Sequence, residues 1–280
     1  MNFTFGIITK FDINDQHSSE KKDMLAATID SIRNLKIPNY EIIIVGCKKE
    51  DLIIGRYDYL FNMNDIKCII FDDNYIKNII SNKQNSKQSY GIGFVIPGWI
   101  TKKKNLITEN AKYENIVFMH DYHMFDRNWY KEFLKFGNDW HVCMNAIKNI
   151  FGERARDWVG WDENNASIHR KNLPYNFNDG SKVYISGSYW VAKKELMIKE
   201  PLDEKFLAWG RILKEDGTIE KCQDSKIIGE DVEWSKRIRD KYKIVLNYKS
   251  IVKHTRVKFT GDEKFHFRNG GNISSPTYEF

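Results

Sequence analysis

Residues 40–47 read YEIIIVGC, a run that is apolar apart from Glu41 at its start. A strand covered on both sides of a parallel sheet has this pattern. Working outward, residues 3–9 (FTFGIIT) form a second β-rich apolar run. Between the two, residues 22–36 carry Met24, Leu25, Thr28, Ile32 and Leu35 at helical spacing, and Pro38-Asn39 ends the helix. Residues 66–71 repeat the strand pattern and end in Asp72-Asp73. Residues 115–119 repeat it again and end in His120-Asp121-Tyr122-His123. Strands alternating with helices imply a parallel sheet with right-handed crossovers. Ligands bind such sheets at the carboxyl ends of the strands. Thr9, Asp72, Asp73 and the 120–123 cluster all fall at those ends.

The second half is less regular. Residues 183–192 (VYISGSYWVA) read as a strand broken by Gly187, residues 229–242 as a helix, and residues 243–246 as a short final strand. The polar stretch 213–226 contains Asp216-Gly217, a hairpin or insertion signal. The expectation is one α/β catalytic domain over 1–280. It divides into halves at 1–125 and 126–255, with a mobile tail over 256–280.

Composition narrows the function classes. The 280 residues are 41% hydrophobic and 29% charged, which suits a folded core and a solvated surface. The net charge of +6 is mild, and only Lys102-Lys103-Lys104 clusters. That is no nucleic-acid signature, but it suits an anionic ligand. None of the four cysteines forms a C-x-x-C pair, and Cys47 and Cys68 sit in strand-like runs, which points to buried thiols in a reducing compartment. The N-terminus lacks the pattern of a signal peptide and no apolar run could span a bilayer. These features together read as a cytoplasmic protein.

Two clusters carry chemistry. At 120–123, a carboxylate with a ligand two residues on could hold a cation whose remaining ligands are phosphate oxygens. The plain alternative is a turn-capping Asp121 beside ordinary histidines. His254, after the last strand, is a further candidate ligand. At Gly229-Glu230-Asp231, a carboxylate could take the proton of an attacking hydroxyl. Here the plain alternative is helix capping and macrodipole compensation, with Glu233 and Arg237 as an i,i+4 pair.

The ordered set resembles the inverting, family-two-like GT-A glycosyltransferases. Its members are FGIIT, the helix with Asp30-Ser31-Ile32, YEIIIVG, Lys104-Asn105, His-Asp-Tyr-His, Ile185-Ser186-Gly187-Ser188, Pro201 to Phe206, Trp209-Gly210 and Glu230-Asp231. The metal motif of that family is Asp-x-Asp or a variant; here Asp121 is the match and a second acid is absent. The resemblance implies a Rossmann-like, mostly parallel sheet flanked by helices, with a smaller mixed acceptor-side region. It implies metal-assisted transfer from a nucleotide-diphosphate sugar, UDP-sugar favoured, to a glycan or other acceptor hydroxyl. Asp231 becomes the base and Glu230 its neighbour. Thr9, Asp72, Asp73, Lys104, Asn105, Asp121, Gly187 and Ser188 would bind the donor. Asp121, with His123 or His254, would hold Mn²⁺ or Mg²⁺. Trp158, Trp161, Trp190 and Trp209 are candidates for stacking on sugars. The alternatives are a nucleotidyltransferase, which would show a Gly-rich basic loop where KFDIND follows Thr9, and a non-catalytic nucleotide-sugar-binding module. A His-Asp phosphohydrolase lacks its further histidine ligands at suitable spacing.

Overall fold

The computed structural model describes residues 1–9, 18–46, 65–71, 99–149, 151–160, 171–208, 211–215, 219–221 and 229–255. Asp72, Asp73, Cys47, Trp161, Trp209 and the tail after 255 lie outside them. The strands are β1 (Phe3–Ile8), β2 (Tyr40–Val45), β3 (Ile66–Ile69), β4 (Asn115–His120), β5 (His123–Phe125), β6 (Val142–Asn149), β7 (Val159–Gly160), β8 (Lys171–Asn172), β9 (Val183–Tyr184), β10 (Tyr189–Lys193), β11 (Phe206–Ala208), β12 (Arg211–Leu213), β13 (Ile219–Lys221) and β14 (Ile244–His254). The helices are α1 (Ser18–Asn34), α2 (Ile100–Asn110), α3 (Trp129–Phe136), α4 (Lys194–Lys199) and α5 (Glu230–Ile238).

Among the described residues the main sheet has eight strands in the order β3-β2-β1-β4-β10-β6-β14-β5. β1 pairs parallel with β2 and β4, and β14 parallel with β6. β10 is antiparallel to β4 and β6, and β5 is antiparallel to β14. The sheet takes strands from both halves of the chain. Two small antiparallel sheets, β11-β12-β13 and β8-β7-β9, sit beside it.

The apolar runs explain the layers. Alternate residues of each central strand face opposite sides of the sheet. Phe3, Phe5, Ile7, Ile42, Ile44, Val117 and Met119 join Leu25, Ile29 and Ile32 of α1 and Trp129 and Phe133 of α3 on one side. Ile43, Val45, Ile116 and Phe118 join Ile107 of α2 and Trp234 and Ile238 of α5 on the other. Each such side chain contributes about 1.5–3 kcal/mol when fully buried. Gly6 permits the second layer to close, because a Cβ there would run into the Ile107 side chain.

Several elements differ from expectation. The 66–69 strand is the sheet edge and only partly covered, so Cys68 is half-buried. α1 begins at Ser18, ahead of the expected 22. α5 stops at Ile238 rather than 242, with Tyr242 turned back onto the Ile238 carbonyl. The expected strand 183–192 is two strands, parted by a turn at 185–188. The last strand runs eleven residues, not four. Its polar centre is accommodated by a register shift between Asn247 and Ile251, where Asn247 Oδ1 accepts the Lys249 and Ser250 amides. The expected hairpin is β12 against β13. No helix among the described residues is long and apolar enough to cross a membrane.

Candidate active site

Two clusters meet at the carboxyl end of β4. The first is the turn that follows it. Thr9, just past β1, donates from Oγ1 to Asp121 Oδ2 at 2.6 Å. Thr28 of α1 donates to the Asp121 carbonyl at 3.3 Å. Thr255 donates to the Tyr122 carbonyl from both its amide and its hydroxyl, each at 2.9 Å. The His120 amide donates to the Ser188 carbonyl at 3.2 Å. Four segments distant in sequence therefore fix one turn. Asp121 and Tyr122 lie in that turn, not on an extended strand, so the i,i+2 argument for Asp121 and His123 does not hold.

His123 and His254 are cross-strand partners on β5 and β14, with ring centroids 5.0 Å apart. Tyr122 packs against both. His123 Nδ1 lies 3.3 Å from the His120 carbonyl oxygen. A carbonyl only accepts, so this contact keeps the proton on Nδ1 and makes Nε2 the basic nitrogen. Asp121, His123 and His254 are all nearly or fully buried. Among the described residues, no three His, Cys, Asp or Glu side chains are gathered as a metal-binding group.

The second cluster is the start of α5. The Gly187 amide donates to Asp231 Oδ2 at 2.9 Å, and the Val232 amide to Oδ1 at 2.9 Å. Glu230 is buried, while Asp231 is half-buried. Lys104 of α2 is fully buried. Its Nζ donates to the Gly187 carbonyl at 2.7 Å, lies 3.6 Å from Glu230 Oε1, and sits 4.1 Å from the Trp190 ring centroid. Burial pushes the Glu230 carboxyl above the usual carboxylate range and Asp231 adds to this, against the pull of Lys104. Burial likewise lowers Lys104, against the pull of Glu230 and Asp231. Desolvation outweighs attraction for both partners. Glu233 and Arg237 form the expected i,i+4 pair at 2.8 Å.

Gly187 has a specific reason to be glycine. A Cβ there would lie 2.8 Å from Asp231 Oδ2 and 3.1 Å from Glu230 Oε1. The space left by the missing side chain is filled by the acidic pair. Gly187→Ala is expected to destabilise the protein by about 1–3 kcal/mol through overpacking and to displace both carboxylates. A thermal melt with unchanged midpoint and unchanged turnover would contradict this close contact.

Other expected binders turn out to be internal. Asn105 donates from Nδ2 to the Leu202 carbonyl and to Glu204 Oε1, and its Oδ1 accepts the Leu202 amide. It clamps the segment before β11. Thr9 is buried; its amide donates to the Val45 carbonyl and its own carbonyl accepts Lys103 Nζ at 2.8 Å. Thr9 therefore steadies Asp121. Ser188 is half-buried at the turn, 3.4 Å from Ser186 across their hydroxyls. Trp158 and Trp190 are not stacking surfaces. They are 1% and 0% exposed, and Trp190 packs between Phe118 and Trp234. Lys103, Thr28 and Thr255 were not among the expected site residues. Isolated threonines give no sequence signal, and the 102–104 run signalled only surface charge.

No protein-family model matches the sequence, and no curated protein is significantly similar to it. Solved structures do resemble it. S. aureus TarS 1-349 matches with a TM-score of 0.52 at 12% identity, over 91% of this chain and 61% of that one. Its complex with UDP-GlcNAc matches at 0.52 and 13%, over 92% and 60%. GalNAc-T7 with UDP, GalNAc and Mn²⁺ matches at 0.56 and 15%, over 98% and 45%. The chain spans less than two thirds of the length of these structures. Both neighbours are GT-A-type glycosyltransferases, and the likeness shows that this chain has the GT-A fold.

Proposed function

We propose that this GT-A chain moves a sugar from a nucleotide-diphosphate donor, a UDP-sugar, to an acceptor hydroxyl with inversion. One observation carries the reading. The Gly187 amide holds Asp231 beside the turn that presents Asp121, through the His120 to Ser188 link. A half-buried carboxylate and a strand-end carboxylate thus share one rim.

Asp231 is the base. As the acceptor hydroxyl attacks, a carboxylate oxygen takes its proton. The Gly187 and Val232 amides fix the carboxylate plane, and each oxygen keeps further lone-pair capacity. Glu230, buried against Lys104, orients its neighbour rather than reaching the acceptor.

A divalent cation fits as a two-residue set. Asp121, fixed by Thr9, offers a carboxylate oxygen, and His254 or His123 offers an imidazole. The carboxylate suits Mg²⁺ or Mn²⁺, and an imidazole in the set would tip it away from Mg²⁺. When bound, the cation would neutralise charge on the leaving diphosphate. GalNAc-T7, solved with Mn²⁺ and UDP, supports this.

Thermal-shift screening against UDP, GDP, CMP and dTDP, with and without Mn²⁺, tests the reading. A nucleotide at 100 times its Kd stabilises the native state by about 2.7 kcal/mol. UDP with Mn²⁺ is expected to score highest, and Asp121→Ala to remove only the metal-dependent part. No shift with any nucleotide removes the donor assignment. Equal shifts with and without metal remove the cation. Retained anomeric configuration in the NMR spectrum of the product removes the base role.

A further inference from the structure

Lys104 stands at the junction of the elements that hold the acidic pair. The resemblance implies that it lines the nucleotide. Its side chain is 0% exposed, which places it behind the site rather than in it. One hydrogen bond runs from its Nζ to the Gly187 carbonyl at 2.7 Å, while the Gly187 amide donates to Asp231 at 2.9 Å. The same ammonium lies 3.6 Å from Glu230. Gly187 is therefore gripped on both sides, by Lys104 at its carbonyl and by Asp231 at its amide.

We propose that Lys104 is a positioning residue for the Glu230-Asp231 pair: it fixes the Gly187 turn that holds Asp231 and supplies the counter-charge that keeps the pair anionic. The proposal rests on the reading of Asp231 as the base. The surroundings leave this role to Lys104. From α5, Glu230 and Asp231 face it; the 185–188 turn presents a carbonyl and β10 the Trp190 ring. Glu230 is faced in turn by Asp231 and Lys104. Without the ammonium, the buried Glu230 carboxylate would lie beside half-buried Asp231 with no opposing charge, and like charges so placed resist joint ionisation. Protonated Asp231 cannot accept the hydroxyl proton.

The experiment follows carboxyl ionisation by carbon-13 NMR in the unliganded protein, for the unmutated chain, Lys104→Arg and Lys104→Met. Lys104→Met is expected to raise the titration midpoint of the pair by about 1–3 pH units, the size of effect of an opposite charge at this range. The acid limb of kcat/KM should rise with it, while UDP affinity by calorimetry stays within about twofold. Lys104→Arg should keep the acid limb where it is. Should Lys104→Met fail to fold, Asp231 is compared in Glu230→Gln and in Lys104→Met/Glu230→Gln, and the same rise is expected. An unmoved midpoint overturns the proposal. So does a tenfold loss of UDP affinity with the midpoint unmoved, which would return Lys104 to the nucleotide. A midpoint that responds to Lys104 in a protein that transfers no sugar would sink the base reading and leave the positioning role standing.

Discussion

Asp231→Asn is expected to lower sugar transfer by about 10²–10⁴-fold, the usual contribution of a general base, while nucleotide binding survives. The substitution is nearly isosteric. Asn keeps an oxygen that can accept the Gly187 amide, the contact now made at 2.9 Å. α5 retains Glu230 and Glu233 in its first turn, so the helix start keeps its dipole compensation. What disappears is the negative charge that draws the proton, together with the acceptor for the Val232 amide. Transfer should fall and KM for the donor should change little, the signature of an interaction made only in the transition state. Unchanged turnover would remove Asp231 from the chemistry.

The second large effect is on stability. Lys104→Met is expected to destabilise the fold by about 3–5 kcal/mol, because it leaves Glu230 buried beside Asp231 with no opposing charge. Lys104→Met/Glu230→Gln should recover most of that loss at neutral pH. The signs support this. Glu230 is raised above its ordinary 4.5, so its favourable contribution is full below that pH and is lost as pH rises through the raised value. Lys104 is lowered from its ordinary 10.5, so its contribution is full above that pH and is lost as pH falls through the lowered value. Both shifts oppose the charged forms, so removing both charges relieves a desolvation cost that removing one does not. Urea denaturation of the two variants at pH 7 measures the recovery. A double variant no more stable than Lys104→Met would show that the two groups are not coupled.

The legible part of this protein is the part built from apolar periodicity. FTFGII, YEIIIV and NIVFMH fill both faces of a sheet, and only buried parallel strands can use such runs. From them followed the sheet, the strand ends and the importance of 120–123. α2 was not legible for the opposite reason. The face it buries includes Thr101, Lys103, Lys104, Asn105, Ile107 and Thr108, so the core-facing side reads as polar. A hydrophobic stripe is the primary helix signal, and here the helix packs through hydrogen bonds instead. Trp158 and Trp190 sit in the core, and the sequence could not separate that place from a sugar-facing one, because a tryptophan's large apolar area is as useful in either. Every tryptophan among the described residues is no more than 3% exposed. The two acids at the start of α5 were readable as a pair, but Lys104, some 126 positions upstream in the numbering, could not be read as their partner. Sequence shows such pairing only where a known motif spans it.

The turn after β4 also bears on how the chain reaches its native state. Its fasteners are Thr9, Thr28, Ser188 and Thr255, and the last lies 133 residues from Tyr122. Closing so long a loop costs chain entropy before any contact repays it. A ribosome that has released β1 to β4 has supplied Asp121 and two of its threonines, yet the turn is still open on its outer side. Only when residue 255 emerges and β14 docks beside β5 and β6 can the last pair of hydrogen bonds form. Slow non-local steps of this kind dominate folding times in topologically complex sheets. The outer side of this turn, at the Tyr122 carbonyl, is thus among the last features to be set, and a nascent chain stalled before residue 255 would hold Asp121 through Thr9 with that side still open.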